Sequence, residues 1–128
     1  MRSLAEIYDV ALVDLDGVIY VGTQPVDHAA SALASARAAG MRLAFVTNNA
    51  ARRPEAVAEQ LTDLGVPASA SEVVTSAQAA ARLLAERLPA GARVLVVGGE
   101  GLVAALTELG LTPVARAVAE HDSIGHPE

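Results

Sequence analysis

The sequence contains no cysteine, no lysine and no tryptophan, and these absences exclude several kinds of function. Without cysteine, the chain cannot form disulfides, zinc–thiolate sites or thiol nucleophiles. Its only aromatic residues are two tyrosines and one phenylalanine, which are too few for a surface on which nucleic-acid bases stack. No apolar run approaches the roughly 20 residues that span a bilayer, and no apolar stretch of a signal peptide follows Met1. We therefore expect a cytoplasmic protein.

The remaining composition is that of a globular protein. The chain has 128 residues, of which 52% are hydrophobic, so it can bury a sizeable core. The formal net charge is −6, and every basic side chain is an arginine or a histidine. An acidic chain is a poor ligand for nucleic acid or anionic membranes. We therefore expect a small molecule as partner, and neither nucleic acid nor a membrane.

Short apolar runs alternate along the chain with segments of helical periodicity. The runs are continuously apolar, which is typical of strands buried on both faces of a parallel sheet. We therefore predict an α/β fold with a Rossmann-like parallel sheet. The predicted strands are residues 10–13, 43–46, 94–97 and 112–114. The predicted helices are residues 28–39 with Asp27 as the cap, 54–64, 76–88, and one that follows the glycine-rich segment 98–101 and ends at Leu109.

Two carboxylates follow the first predicted strand. Asp14 ends the apolar run, and Asp16 comes two residues later, just before Gly17. In parallel α/β sheets, ligands bind beyond the carboxyl ends of the strands, and residues two apart on a strand project to the same side. One carboxylate can attack phosphorus directly, and the other can serve as general acid and then as base. A turn that only ends the strand is the alternative interpretation.

Polar residues also follow the second predicted strand. Thr47, Asn48 and Asn49 come directly after residues 43–46. A right-handed crossover would bring this strand beside or near the first, so Thr47 is expected near Asp14. A threonine hydroxyl and the backbone N–H that follows it can hold phosphate oxygens, although asparagines also suit an ordinary loop.

The sequence Val-Asp-Leu-Asp-Gly-Val-Ile-Tyr, which ends at Tyr20, resembles the first motif of the haloacid dehalogenase superfamily. Its Gly-Val-Ile-Tyr ending is similar to the branch that contains NagD-type nucleotidases and para-nitrophenyl, phosphoglycolate and glycerol-3-phosphate phosphatases. Thr47-Asn48-Asn49 resembles the second motif of the same branch. The resemblance covers roughly residues 8–115. It implies a Mg²⁺-dependent phosphomonoester hydrolase (a phosphatase) of small phosphorylated metabolites.

The resemblance also implies individual roles. Asp14 would be the nucleophile that becomes an aspartyl phosphate, and Asp16 would be the general acid and base. Both would be Mg²⁺ ligands, Asp16 through its backbone carbonyl. The phosphate-binding residues implied by the two motifs are Leu15, Gly17, Thr47, Asn48 and Asn49, of which Asn49 is the one that orients the loop.

The resemblance predicts residues 1–75 as the N-terminal part of the core domain, 76–117 as the start of an α/β cap domain, and 118–128 as a disordered or non-family tail. Members of the superfamily also have a third-motif lysine and an acidic fourth motif, and neither is found in this sequence. We therefore expect a fragment, a truncated gene product or a frameshifted reading. It would retain about two core strands, whose exposed sheet edges favour a homo-oligomer. We expect this chain alone to have little or no phosphatase activity.

Other segments allow different interpretations. Gly98-Gly99-Glu100-Gly101 follows a strand, as in a dinucleotide-binding module, but it lacks the full glycine fingerprint, so a tight structural turn is favoured. A non-enzymatic receiver-type domain would need an accepting aspartate on a later strand and a downstream lysine. Arg52 and Arg53 are interpreted as a solvated pair. The tail residues His121, Asp122 and His126 are interpreted as solvated rather than as a metal site.

Overall fold

The computed structural model describes residues 1–115, which divide into two compact units. The first unit comprises Met1–Asn49 and Pro54–Ser76, and the second comprises Ala50–Arg53 and the chain from Ala77 onward. The strands are β1 (Val10–Asp14), β2 (Tyr20–Val21), β3 (Gln24–Pro25), β4 (Arg42–Thr47), β5 (Val73–Thr75), β6 (Arg93–Val96) and β7 (Thr112–Ala115). The helices are α1 (Leu4–Ile7), α2 (Ala29–Ala38), α3 (Pro54–Asp63), α4 (Ser76–Arg87), α5 (Glu100–Glu108) and a 3-10 helix (Ala70–Glu72).

The first unit is built on a parallel sheet with the strand order β1-β4-β5. In this sheet Asp14 of β1 lies opposite Val46 of β4, and Thr47 of β4 lies opposite Thr75 of β5. The strands β2 and β3 form a separate antiparallel hairpin directly after β1. The predicted α/β fold with a parallel sheet is therefore confirmed.

One face of this sheet is covered by the core of the first unit. Phe45 in the central strand is completely buried, as is Leu61 of α3. Apolar side chains of α2, among them Leu33, pack against the same cluster. The buried members of this core are Leu15, Ile19, Met41, Leu43, Phe45, Val57, Ala58, Leu61, Val66 and Val73.

The opposite face of the sheet differs from the prediction. The continuous apolar run of β1 predicted a strand buried on both faces, yet Leu12 is 76% exposed and Val10 is 47% exposed. Val46 and Val74 are exposed on the neighbouring strands, and β1 is the outermost strand on one side of the sheet. Within residues 1–115, only one face of the sheet is therefore covered, and the predicted burial on both faces is wrong.

Two local predictions also need correction. The core sheet has three strands instead of the expected two, because the three-residue strand β5 was too short to be recognised from apolar periodicity. Asp27 was predicted to cap α2, but the residue that precedes the helix is His28, which has a left-handed backbone (φ 69°) and makes no capping hydrogen bond with its side chain.

The second unit contains the parallel pair β6 and β7. Its core joins the helices α4 and α5 to these strands through the buried residues Ala77, Ala81, Val96, Ala105, Leu106 and Leu111. None of the helices in the described part of the chain is both long and apolar enough to cross a membrane. The assignment of residues 1–75 to a core domain and 76–117 to a cap stays a prediction, and the predicted tail with His121, Asp122 and His126 lies outside the described residues.

Candidate active site

The predicted nucleophile and the predicted phosphate-binding residues lie at one edge of the first sheet. Asp14 is the last residue of β1 and lies opposite Val46, so Thr47 at the end of β4 comes one residue beyond it. Neighbouring strands in a sheet lie about 4.8 Å apart. The carboxyl ends of β1 and β4 therefore bring Asp14 and Thr47 to the same edge, where parallel sheets bind ligands.

A tight turn presents the second carboxylate. The side chain of Leu15 is buried, whereas Asp14 and Asp16 on either side of it are exposed. The carbonyl of Leu15 accepts a hydrogen bond from the N–H of Ile19 at 2.9 Å, and the N–H of Gly17 donates to the carbonyl of Tyr20 at 2.7 Å. Gly17 has a φ of +81°, which favours glycine. The predicted alternation of side chains between the two sides of the strand thus continues beyond the end of β1. The buried side chain of Leu15 anchors the turn that follows.

The carboxylate of Asp14 has a defined local partner. Its Oδ1 accepts a hydrogen bond from the backbone N–H of Leu15 at 2.9 Å. This contact restricts the rotation of the carboxylate and occupies one of its oxygens. Because the leucine side chain lies in the core, Leu15 can contact a phosphate only through its backbone.

The loop after β4 is ordered by a hydroxyl group. Thr47 is 8% exposed, and its Oγ1 accepts a hydrogen bond from the N–H of Asn49 at 3.1 Å. Asn48 and Asn49 are exposed. Thr47 alternates with Val46 along the strand, so it belongs to the covered face with Phe45, whereas Asp14 belongs to the uncovered face. The two side chains therefore leave the sheet edge from its two faces.

Ser76 also contacts this loop, although no motif in the sequence marks it as a site residue. Its Oγ donates a hydrogen bond to the carbonyl of Asn48 at 3.0 Å. Thr75, which is almost completely buried, lies opposite Thr47 in the sheet, so the following residue reaches the loop after β4. The signal that was missed is the strand β5, whose carboxyl end belongs to the same edge as those of β1 and β4.

The oxygen atoms at this edge suit a hard divalent cation. Carboxylate and carbonyl oxygens are the ligands that Mg²⁺ prefers, so Asp14 and the backbone carbonyl of Asp16 fit it chemically. Mg²⁺ requires about six ligands. Among residues 1–115 no group of three or more histidine or acidic side chains is placed to hold a metal ion. Asp14 and the carbonyl of Asp16 alone therefore fall short of the number of ligands that Mg²⁺ requires.

The glycine-rich segment of the second unit packs against the chain itself. A Cβ atom added to Gly101 would lie 2.5 Å from the carbonyl oxygen of Ala50, and one added to Gly99 would lie 2.9 Å from Cβ of Ala51. Close packing of backbone on backbone therefore accounts for these two glycines. It favours the structural turn over the dinucleotide-binding interpretation. Of the two arginines in this stretch of the second unit, Arg53 is exposed and Arg52 is partly buried.

A family model described as haloacid dehalogenase-like hydrolase matches residues 11–112. The chain belongs to this family. It is 45% identical over 124 residues to D-glycerol 3-phosphate phosphatase of Mycobacterium tuberculosis. The aligned region covers 97% of the chain and 34% of that protein. It is 44% identical over 104 residues to acid sugar phosphatase of Staphylococcus saprophyticus. Here the aligned region covers 81% of the chain and 40% of that protein.

Solved structures of haloacid dehalogenase-like phosphatases agree with this membership. The glycerol phosphate phosphatase of Mycobacterium tuberculosis in complex with magnesium superposes with a TM-score of 0.83 at 47% identity, over 89% of the chain and 34% of that structure. The p-nitrophenyl phosphatase of Archaeoglobus fulgidus gives 0.74 at 29% identity, over 83% of the chain and 40% of that structure. The chain thus spans a third to two fifths of the length of these relatives.

Proposed function

We propose that the chain carries the nucleophile and the phosphate-binding loop of a Mg²⁺-dependent phosphomonoester hydrolase that acts through an aspartyl phosphate. The observation that carries this proposal is the register of β1 and β4, which brings Asp14 and the segment Thr47-Asn48-Asn49 to one carboxyl edge of a parallel sheet. Membership of the hydrolase family supports it. The chain spans about a third of the length of the glycerol phosphate phosphatase that it matches, so the complete reaction is proposed for a protein that also supplies the rest of the site.

In the first step a carboxylate oxygen of Asp14 attacks the phosphorus atom of the ester. A new bond forms between this oxygen and phosphorus, and the bond between phosphorus and the ester oxygen breaks. Because Oδ1 accepts the N–H of Leu15, we assign Oδ2 as the attacking oxygen. The products of this step are an aspartyl phosphate and an alkoxide that needs a proton.

Asp16 supplies that proton. Protonated Asp16 donates it to the departing ester oxygen as a general acid. It then accepts a proton from a water molecule, whose oxygen attacks phosphorus and breaks the bond to Asp14. Inorganic phosphate leaves, and both carboxyl groups return to their initial states. The turn anchored by Leu15 presents Asp16 next to Asp14, which this transfer requires.

The loop after β4 binds the transferred phosphoryl group. Phosphate oxygens accept hydrogen bonds, and the Thr47 hydroxyl and the N–H groups of Asn48 can donate them. When bound, Mg²⁺ neutralises negative charge on the phosphate and on the attacking carboxylate. Asp14 and the carbonyl of Asp16 are the groups of this chain that would hold it.

We propose a small phosphorylated metabolite of the polyol or sugar class as substrate. The names of the relatives, a glycerol phosphate phosphatase and an acid sugar phosphatase, support this class. A cytoplasmic location is proposed with it, in keeping with the absence of cysteine. Hydrolysis of a panel containing glycerol 3-phosphate, hexose phosphates, phosphoglycolate and nucleoside monophosphates would rank these substrates. A preference for nucleotides would contradict the proposed class.

The decisive experiment compares Asp14→Asn with Asp9→Asn in a protein that carries this chain at the full length of its relatives (the full-length protein). Asp9 precedes the same strand at its other end, so its substitution is a matched control. We expect Asp14→Asn to lower kcat by on the order of 10⁴-fold or more, as removal of a catalytic nucleophile does, and Asp9→Asn to leave it unchanged. Acid-quenched phosphoenzyme should be found in the parent protein and not in the Asp14 variant. Equal activity of the two variants would refute the proposal.

A further inference from the structure

We propose that Ser76 is a positioning residue of the phosphate-binding loop. Its hydroxyl holds the peptide group between Asn48 and Asn49 and, through that peptide, sets the orientation of the Thr47 hydroxyl. This inference rests on the proposed function, because it assigns Thr47 to phosphate binding. It adds the carboxyl end of β5 to a proposed phosphate site formed by the ends of β1 and β4.

One peptide group of the loop after β4 is held at both of its ends. The Oγ of Ser76 donates to the carbonyl of Asn48 at 3.0 Å. The N–H of the same peptide, on Asn49, donates to Oγ1 of Thr47 at 3.1 Å. This peptide is trans, so its C=O and N–H point in opposite directions. Ser76 and Thr47 therefore bind it from opposite sides.

The register of the sheet explains why Ser76 reaches this peptide. The strands β4 and β5 are parallel, and Thr47 lies opposite Thr75. The residues that follow the two strands, Asn48 after β4 and Ser76 after β5, therefore leave the sheet at the same level. Ser76 is the first residue of α4, where the chain turns from strand to helix. The contact is thus built by the sheet and the start of a helix and does not depend on a loop conformation alone.

The chain of hydrogen bonds constrains what Thr47 can do. The Thr47 hydroxyl accepts the N–H of Asn49 and can still donate its own hydrogen. The directions in which it can donate are restricted by the bond that it accepts. A phosphate oxygen only accepts, so Thr47 must be a donor to bind it. In the series of hydrogen bonds from Ser76 through the peptide to Thr47, each donor polarises the next. This strengthens the hydrogen bond that the Thr47 hydroxyl donates to the phosphate.

Loss of the serine hydroxyl would release the peptide. Rotation of the peptide would then place the carbonyl of Asn48 where the N–H of Asn49 now lies, and Thr47 would have to donate to that carbonyl. A carbonyl oxygen beside the phosphate would also repel it. Ser76 therefore contributes to phosphate affinity without touching the phosphate.

The test uses the full-length protein with Ser76→Ala, Ser76→Thr and Ser31→Ala. Ser31 is a matched control because its Oγ also donates to a backbone carbonyl, that of His28, at 3.0 Å. We expect Ser76→Ala to raise KM and the inhibition constant of inorganic phosphate by about 3- to 10-fold, as loss of one hydrogen bond does, with a smaller change in kcat. Ser76→Thr should restore both constants, and Ser31→Ala should leave them unchanged.

Two measurements separate this role from a general effect on folding. Amide hydrogen exchange followed by NMR should show that the N–H of Asn49 is protected in the parent protein and exchanges faster in Ser76→Ala. Once Thr47 is replaced by Val, Ser76→Ala should have a smaller effect on phosphate affinity than in the parent protein, because the part that acts through the Thr47 hydroxyl is already lost.

The proposal is overturned if the N–H of Asn49 exchanges as an unprotected amide in the parent protein, which can be measured even if Ser76→Ala does not fold. It is also overturned if folded Ser76→Ala binds phosphate as the parent does. Asp14→Asn is the separate criterion for the proposed function. Full activity of that variant would refute the hydrolytic mechanism, whereas the exchange of Asn49 would still decide the role of Ser76.

Discussion

The N–H of Gly101 donates a hydrogen bond to the carbonyl of Ala51 at 2.9 Å, which joins the start of α5 to the segment Ala50–Arg53 within the second unit. Gly101 is buried, and the carbonyl oxygens of Ala50 and Arg52 lie within 2.8 Å of the position that a Cβ atom would occupy. No side chain fits there without movement of the backbone. A glycine-rich segment that resembles a phosphate-binding loop in sequence thus serves to pack two pieces of backbone together.

We predict that Gly101→Ala destabilises the protein more than Gly98→Ala. The added methyl group at position 101 meets rigid backbone, which costs about 1–3 kcal/mol as in other overpacked cores. At position 98 the nearest atom is the end of the flexible Leu102 side chain, 2.6 Å away, and this side chain can rotate. Urea denaturation of both variants measures the difference in the free energy of unfolding. Equal stabilities would show that the backbone contact at Gly101 is not tight in solution.

A second prediction concerns Gly17 in the turn that follows the two carboxylates. A Cβ atom at Gly17 or at Gly22 would meet no atom within 4 Å, and both residues have a positive φ. Substitution by alanine should therefore cost about 1–2 kcal/mol at either position, through backbone strain alone. Only Gly17→Ala should also lower kcat/KM of the full-length protein, since Gly17 follows Asp16 directly. A similar loss of kcat/KM in both variants would show that the effect comes from stability.

A third prediction separates the two faces of the first sheet. Leu61 has no exposed surface, so Leu61→Ala should lower the free energy of unfolding by about 2–5 kcal/mol. Leu12 is 76% exposed, and Leu12→Ala should change stability by no more than about 0.5 kcal/mol, as other surface substitutions do. Thermal and urea unfolding of the chain would compare them. A cost at Leu12 close to that at Leu61 would mean that this face is covered in solution.

Much of the fold could be predicted from the sequence because its strong signals are local. The apolar runs of β1 and β4 and the helical periodicity of α3 and α4 each extend over enough residues to be recognised. The strand β5 could not be predicted, because Val73–Thr75 is three residues long and becomes a strand through pairing with β4. The exposure of Leu12 could not be predicted either, since an apolar sequence indicates a tendency to be buried and does not identify what covers it.

In the site too, features set by the local sequence could be predicted, and features set by strand pairing could not. The positions of Asp14 and Thr47 at strand ends follow from where the apolar runs stop, so local reasoning places them at one edge. Their exit from opposite faces of the sheet depends on the register between β1 and β4, which the sequence does not contain. Ser76 was missed for a related reason. Its contact with Asn48 exists only because β5 pairs with β4, and that pairing connects residues 28 positions apart.

The last prediction concerns this chain on its own. Asp14 and the carbonyl of Asp16 offer Mg²⁺ only two oxygen ligands, against the roughly six that it requires. Among the described residues no third acidic side chain joins them in a metal-binding group, and the sequence has no lysine to neutralise the charge of a bound phosphate. We therefore expect residues 1–128 to bind Mg²⁺ weakly in calorimetric titration and to hydrolyse p-nitrophenyl phosphate no faster than buffer does. Mg²⁺-dependent turnover by this chain that disappears in Asp14→Asn would contradict the prediction, because it would show that the residues present here complete the catalytic site.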